Sequence, residues 1–171
     1  MIDRGDTIAN DPAVTITRAT VADEAALGEL MREFYAHEGL AFDEVRTLDA
    51  FRRMAEDPNL GAVWIVRLGE ALAGYIAVTM SYSLEFAGRY GVIDELYVRE
   101  AYRGHGIGTR ALEVAAEACR AMDVSALRLE VDVENERARA LYERMGFTLQ
   151  KRYMMSRWIA ARPATVTDRL S

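Results

Sequence analysis

Apolar and polar residues alternate one for one through VTITRAT (Val14–Thr20) and then recur in steps of three and four. A period of two puts successive side chains on opposite faces of a strand, and a period near 3.6 puts them on one face of a helix. The first stretch therefore predicts a strand. The second predicts a helix from an N-cap at Thr20 to about Ala36, with Asp23 and Glu24 in its first turn and Leu27, Leu30, Met31 and Phe34 as its apolar stripe. HEGLAFDE reads as a loop, and Thr47–Asp57 as a second short helix stopped by Pro58. AVWIVRL (Ala62–Leu68) and LAGYIAVTMSYS (Leu72–Ser83) are predicted strands joined by a tight Gly69–Glu70 turn. GVIDELYV (Gly91–Val98) is the next strand. After a glycine-rich turn comes a helix to about Met122, on which Ile107, Ala111, Val114, Ala115, Ala118 and Met122 share one face. ALRLEVDV (Ala126–Val133) alternates strictly, Asn135–Met145 is a helix stopped by Gly146, and Phe147–Ile159 is a predicted final strand.

The resulting order is β-α-α-β-β-β-α-β-α-β. Three consecutive strands imply antiparallel hairpins, and the later β-α-β crossover implies a parallel pair. The expectation is one mixed-sheet α/β domain over residues 14–159, with residues 1–13 and 160–171 as flexible termini. The 171 residues suit one domain. A share of 51% hydrophobic and 28% charged residues is that of a soluble globular chain. The net charge of −6 argues against a general nucleic-acid binder, which needs a basic face, and leans toward cationic partners. No apolar run is long enough for a membrane span, and the N-terminal stretch has no signal-peptide core, so the expected location is the cytoplasm. Cys119 is the one cysteine; its place on an apolar helical face predicts a buried, inert thiol. No metal is expected.

One stretch breaks the economy of regular elements. RGHGIGTRALE (Arg103–Glu113) packs three glycines where a helix must start, although glycine inside an element costs about 0.5–1 kcal/mol relative to alanine. A strand, a glycine turn and a helix N-terminus make an anion site: the first helical amides have no internal partner, the helix dipole adds positive potential, and glycine lets the backbone approach closely. Arg103 and Arg110 flank the turn. Gly104, Gly106 and Gly108 give G-x-G-x-G, which is neither the dinucleotide fingerprint nor the triphosphate loop. A nucleotide-binding regulator is thereby disfavoured.

Arg103, Gly106 and Gly108 do fit [QR]-x-x-G-x-[GA], and LEVDVENERARALYERMGF (Leu129–Phe147) follows at a characteristic distance. Together these blocks resemble the GNAT superfamily of N-acetyltransferases. That resemblance implies a mixed sheet of six or seven strands with a splayed central pair, flanked by about four helices. It implies acetyl-CoA as cosubstrate, its pantetheine pairing with backbone of Leu96, Tyr97 and Val98 as an added strand would. The pyrophosphate would rest on the turn formed by Arg103, Gly104, His105, Gly106, Ile107, Gly108 and Thr109. A homodimer is compatible with it.

Acetyl transfer to an amine needs a neutral amine, a donor for the developing oxyanion and a proton for the departing sulfur. Asn135, Ala138 and Tyr142, three and four apart, share one helical face. By the resemblance Tyr142 is the general acid, and Asn135 and Ala138 contact the cofactor. A tyrosine with a pKa near 10 stays protonated at neutral pH. For the base, the charged face of the strand Ala126–Val133 offers Glu130, which matches the base of members that acetylate protein N-termini; Glu95, or its neighbour Asp94, is the alternative. The acceptor, a primary amine of a small molecule or peptide, is expected against Phe34, Tyr35, Glu38, Phe42 and Asp43, or against Tyr82, Glu85, Phe86 and Tyr90, where aromatic and acidic groups suit a cation. A module that binds acyl-CoA without catalysis is the competing reading.

Overall fold

The computed structural model describes residues 13–159, so the expectations for the termini fall, Ala13 apart, outside the described residues. Within them a five-stranded sheet runs in the order β1 (Val14–Arg18), β2 (Gly61–Leu68), β3 (Ala71–Ser83), β4 (Gly88–Val98), β5 (Leu127–Leu129). The first four are antiparallel neighbours, and β4 and β5 are parallel. The helices are α1 (Glu24–His37), α2 (Glu44–Glu56), α3 (Ile107–Ala121) and α4 (Glu136–Arg144). This is the predicted mixed α+β class with four helices, but with five strands rather than six or seven.

Each helix boundary has a local cause. Thr20 opens a 3-10 turn, Val21–Asp23, with its N–H donating to Asp23 Oδ2 at 2.9 Å, so the N-cap of α1 moves from the predicted Thr20 to Asp23. Asp43 accepts from the Arg46 N–H at 3.2 Å and starts α2 at Glu44 rather than Thr47.

The alternation in β2 and β3 divides the core into two layers. Trp64, Val66, Ile76 and Val78 pack with Ile107, Ala111, Leu112 and Ala115 of α3. Val63, Ile65, Tyr75 and Ala77 pack with Leu27, Leu30 and Met31 of α1 and Phe51 of α2. Cys119 is buried in the α3 layer, and burial pushes its thiol up.

Two strands differ from expectation. β5 covers only Leu127–Leu129 of the predicted Ala126–Val133. It pairs with Gly91–Ile93 and stops. Beyond that point β4 runs on through Val98, held by β3 alone. The β3–β4 register passes from Val78↔Ile93 to Ala77↔Glu95, leaving Asp94 as a bulge residue. A bulge bends and twists its strand, and it sits where β4 and β5 part. The predicted strand Phe147–Ile159 has no ladder partner among the described residues. It runs as irregular chain and exposes Leu149, Tyr153, Met154, Met155 and Ile159.

Candidate active site

The parting of β4 and β5 opens a cleft of about 470 Å³. One wall is Leu96, Tyr97 and Val98. The floor is the turn of Arg103, Gly104, Gly106, Ile107, Gly108 and Thr109. Asn135, Ala138, Leu141 and Tyr142 of α4 form the opposite wall, and Phe34, His37 and Glu38 close one end.

The glycines at the floor adopt left-handed backbone, φ 89° at Gly104 and φ 72° at Gly106. A Cβ on either would meet nothing within 4 Å, so packing does not demand glycine there. The demand is conformational, because only glycine enters this region freely. Gly106 is the N-cap of α3 and supplies no side chain to it, and the Arg110 N–H is the first to bond back, to the Gly106 carbonyl. The amides of Ile107, Gly108 and Thr109 are therefore left without intrahelical acceptors. Three guanidinium-bearing residues, Arg103, Arg137 and Arg144, line the cleft, against Glu38 as its one carboxylate. In a chain of net charge −6, this concentration of cations beside free amides fits a ligand carrying several phosphates.

Arg103 turns back under β4. Its Nε donates to the Val98 carbonyl at 2.8 Å, and its guanidinium reaches His37 Nε2 at 3.5 Å. Arg110 stays exposed outside the lining. So does His105, whose Nδ1 lies 3.2 Å from the Tyr102 carbonyl, so any part it plays is through its backbone. Asn135 caps α4, its Oδ1 accepting from the Ala138 N–H at 3.0 Å, and it also lines the cleft. Tyr142 packs edge-on against Phe147 at 5.8 Å. Burial, and then the charge of Glu38, push its hydroxyl above the usual tyrosine range, so it keeps its proton at any physiological pH.

The two candidate bases separate clearly. Neither lines the cleft itself, but Glu130 is exposed and lies beyond the last β5 pair. Its charge acts on Asp94, whose carboxyl is raised first by partial desolvation and then by Glu130. Glu95 projects into the α1 layer. The Tyr75 hydroxyl donates to its Oε2 at 2.8 Å, and the Tyr35 hydroxyl bonds it as well. Burial drives Glu95 up to about 7; the tyrosine hydroxyls oppose that rise, and Asp94 adds to it.

Around this carboxylate stands an aromatic group. Phe34 lies 6.1 Å from Tyr75 and 6.0 Å from Tyr97, and Tyr35 lies 5.1 Å from Phe42. The structure thus brings together Phe34, Tyr35 and Phe42 of the predicted acceptor set. It sends Tyr82, Glu85, Phe86 and Tyr90 to the far end of the β3–β4 hairpin. Arg137, Arg144, His37 and Tyr102 were missed as lining residues. Neither arginine is three or four residues from Asn135, Ala138 or Tyr142, so the spacing that grouped those three carried no signal for them; both lie a helical turn from Leu141, a lining residue that was missed as well.

Such a fold and site define a class: mixed α/β proteins in which a splayed strand pair opens a cleft over a glycine turn at a helix N-terminus. Comparison with known proteins makes this specific. The chain belongs to the acetyltransferase (GNAT) family, whose model matches residues 25–147. It is 29% identical to the aminoalkylphosphonate N-acetyltransferase of Salmonella typhimurium over 136 residues, 80% of this chain and 86% of that one. It is 42% identical over 62 residues to N-alpha-acetyltransferase 30 of Saccharomyces cerevisiae, but spans only 35% of that protein's length and uses 36% of its own. The crystal structure of an integron cassette protein from the mobile metagenome of Cole Harbour Salt Marsh superposes with a TM-score of 0.79 at 30% identity, covering 88% of this chain and 93% of that one.

Proposed function

We propose that the protein transfers an acetyl group from acetyl-CoA to a primary amine by direct attack, with Glu95 as base and Tyr142 as acid. Membership of the acetyltransferase family supports the reaction class. The observation that carries the mechanism is the placing of Glu95, a carboxylate held by two tyrosine hydroxyls and driven to about 7 at the edge of the parted strands. A base is most effective with a pKa near the working pH.

When bound, acetyl-CoA supplies the thioester. The amides of Ile107, Gly108 and Thr109, with Arg103, Arg137 and Arg144, hold its phosphates. The edge of β4 from Leu96 to Val98, left open by β5, offers backbone groups to the pantetheine, although the Val98 carbonyl is already shared with Arg103. As the C–N bond forms and the C–S bond breaks, the amine gives up one proton, taken by Glu95 directly or through water. The departing sulfur takes one proton, given by Tyr142. Cys119, buried on the core face of α3, has no part in this.

Thiol release from acetyl-CoA in the presence of primary amines tests the reading. The panel spans aminoalkyl acids, plain alkylamines and peptides with a free N-terminus. Amine-dependent release with formation of the acetylamide is expected. Acetyl-CoA binding without turnover of any amine would favour the non-catalytic module instead.

A further inference from the structure

Arg128 belongs to neither predicted acceptor group but lies against two rings of the second, Phe86 and Tyr90. It sits on β5, paired with Val92 of β4. Leu127, Leu129 and Ile93 pack into the α3 layer, so Arg128 points from the opposite face of the sheet. Glu95 is on that face too, because its partner Tyr75 belongs to the α1 layer. The guanidinium is held over two rings, 5.9 Å from the centroids of both Phe86 and Tyr90, which are themselves 5.2 Å apart. Glu85 feels the Arg128 charge but forms no ion pair with it; its two carboxylate oxygens take Arg152, each at 3.2 Å. Among the described residues no carboxylate lies within ion-pair distance of Arg128. A half-buried cation, oriented by two aromatic faces and lacking a salt-bridge partner, has the form of an anion-recognition group.

Resting on the reading of Glu95 as the base, we propose that Arg128 binds an anionic group of the acceptor, so that the substrate is a short zwitterion with a primary amine at one end and a carboxylate or phosphonate at the other. Val92, beside Arg128, and Glu95 are three residues apart on β4, roughly 10 Å of strand, somewhat less across a bulge. The guanidinium leans from Val92 back along β4, toward Phe86 and Tyr90, so its gap to the Glu95 carboxylate is at least that span and takes an acceptor whose two ends stand a few carbon atoms apart or more. Phe86 and Tyr90 act as positioning residues for the guanidinium.

The test compares kcat/KM for three acceptors of similar length: 4-aminobutyrate, 3-aminopropylphosphonate and n-butylamine, with wild type, Arg128→Gln and Arg128→Lys. A charge-assisted contact is worth about 10- to 100-fold. Wild type is expected to favour an acid-bearing acceptor over n-butylamine by about that factor, and Arg128→Gln to erase the preference through KM while leaving n-butylamine unchanged. Whichever of the carboxylate and the phosphonate shows the larger loss is the natural group. Arg128→Lys, a point charge without the planar fork, should recover part of the preference. Equal use of all three acceptors by wild type, or an equal loss on all three in Arg128→Gln, overturns the inference and leaves the acetyl transfer standing. Failure of wild type to acetylate any of the three, while peptide amines are acetylated, also overturns it; failure with every amine removes the reaction itself.

Discussion

Glu95 should destabilise the protein above neutral pH, and the neutral isostere Glu95→Gln measures by how much. In the folded chain its carboxyl is raised from 4.5 to about 7, with burial as the largest cause. A raised carboxyl means that the unfolded chain releases its proton at lower pH than the folded one. Stability is therefore fully present below 4.5 and is lost as pH climbs to about 7. At about 1.4 kcal/mol per unit the loss above pH 7 is about 3 kcal/mol, a large fraction of a typical domain's stability. A glutamine keeps an oxygen to accept from Tyr75 and Tyr35 and removes only the charge. Urea unfolding of wild type and Glu95→Gln at pH 5 and pH 8 is the assay. The variant should be more stable by less than about 1 kcal/mol at pH 5 and by about 3 kcal/mol at pH 8. A difference independent of pH would refute the claim that burial sets this carboxyl.

Tyr75→Phe removes a hydroxyl that favours the charged carboxylate, so the acidic limb of the pH–rate profile should move to higher pH, with the rate recovered at alkaline pH; loss at every pH would mean the hydroxyl serves only packing. Tyr142→Phe should lower kcat by about 10- to 100-fold with little change in KM, and unchanged turnover would remove Tyr142 as the acid. Gly106→Ala forces a left-handed φ of 72° on a residue with a Cβ, which should cost about 1–2 kcal/mol and lower the Tm by several degrees; an unchanged Tm would show that the turn adapts. Acetyl-CoA at 100 times its Kd should add about 2.7 kcal/mol to the unfolding free energy, and no thermal shift at millimolar concentration would contradict the cofactor cleft.

The elements with strong periodicity were readable in the sequence: the β2–β3 hairpin through Gly69–Glu70, the apolar face of α3 and the glycine turn that starts it. The bulge was not, although it left a trace. Ile93 and Leu96 face the same core layer while standing three apart, a break in the period of two that only an extra residue explains. That single insertion turns Glu95 toward Tyr75, so the choice between Glu95 and Glu130 hung on it. Phe147–Ile159 failed as a strand for a different reason. Alternation specifies which face is apolar, but a strand also needs a neighbouring edge to pair with, and pairing is a long-range property. The clamp on Glu95 likewise joins α1, β3 and β4, residues 35, 75 and 95, which no local pattern links. The seat of Arg128 over Phe86 and Tyr90 joins β5 to the β3–β4 turn, another link that no local pattern carries.

The central claim is that Glu95 takes the proton of the acceptor amine in an acetyl transfer from acetyl-CoA. Amine-dependent thiol release followed from pH 5 to pH 9 in wild type, Glu95→Gln and Glu130→Gln tests it directly. The account predicts that wild type and Glu130→Gln share a limb rising with an apparent pKa near 7, and that Glu95→Gln loses both this limb and most of the rate. An unaltered limb in Glu95→Gln, or its loss in Glu130→Gln alone, would contradict the account.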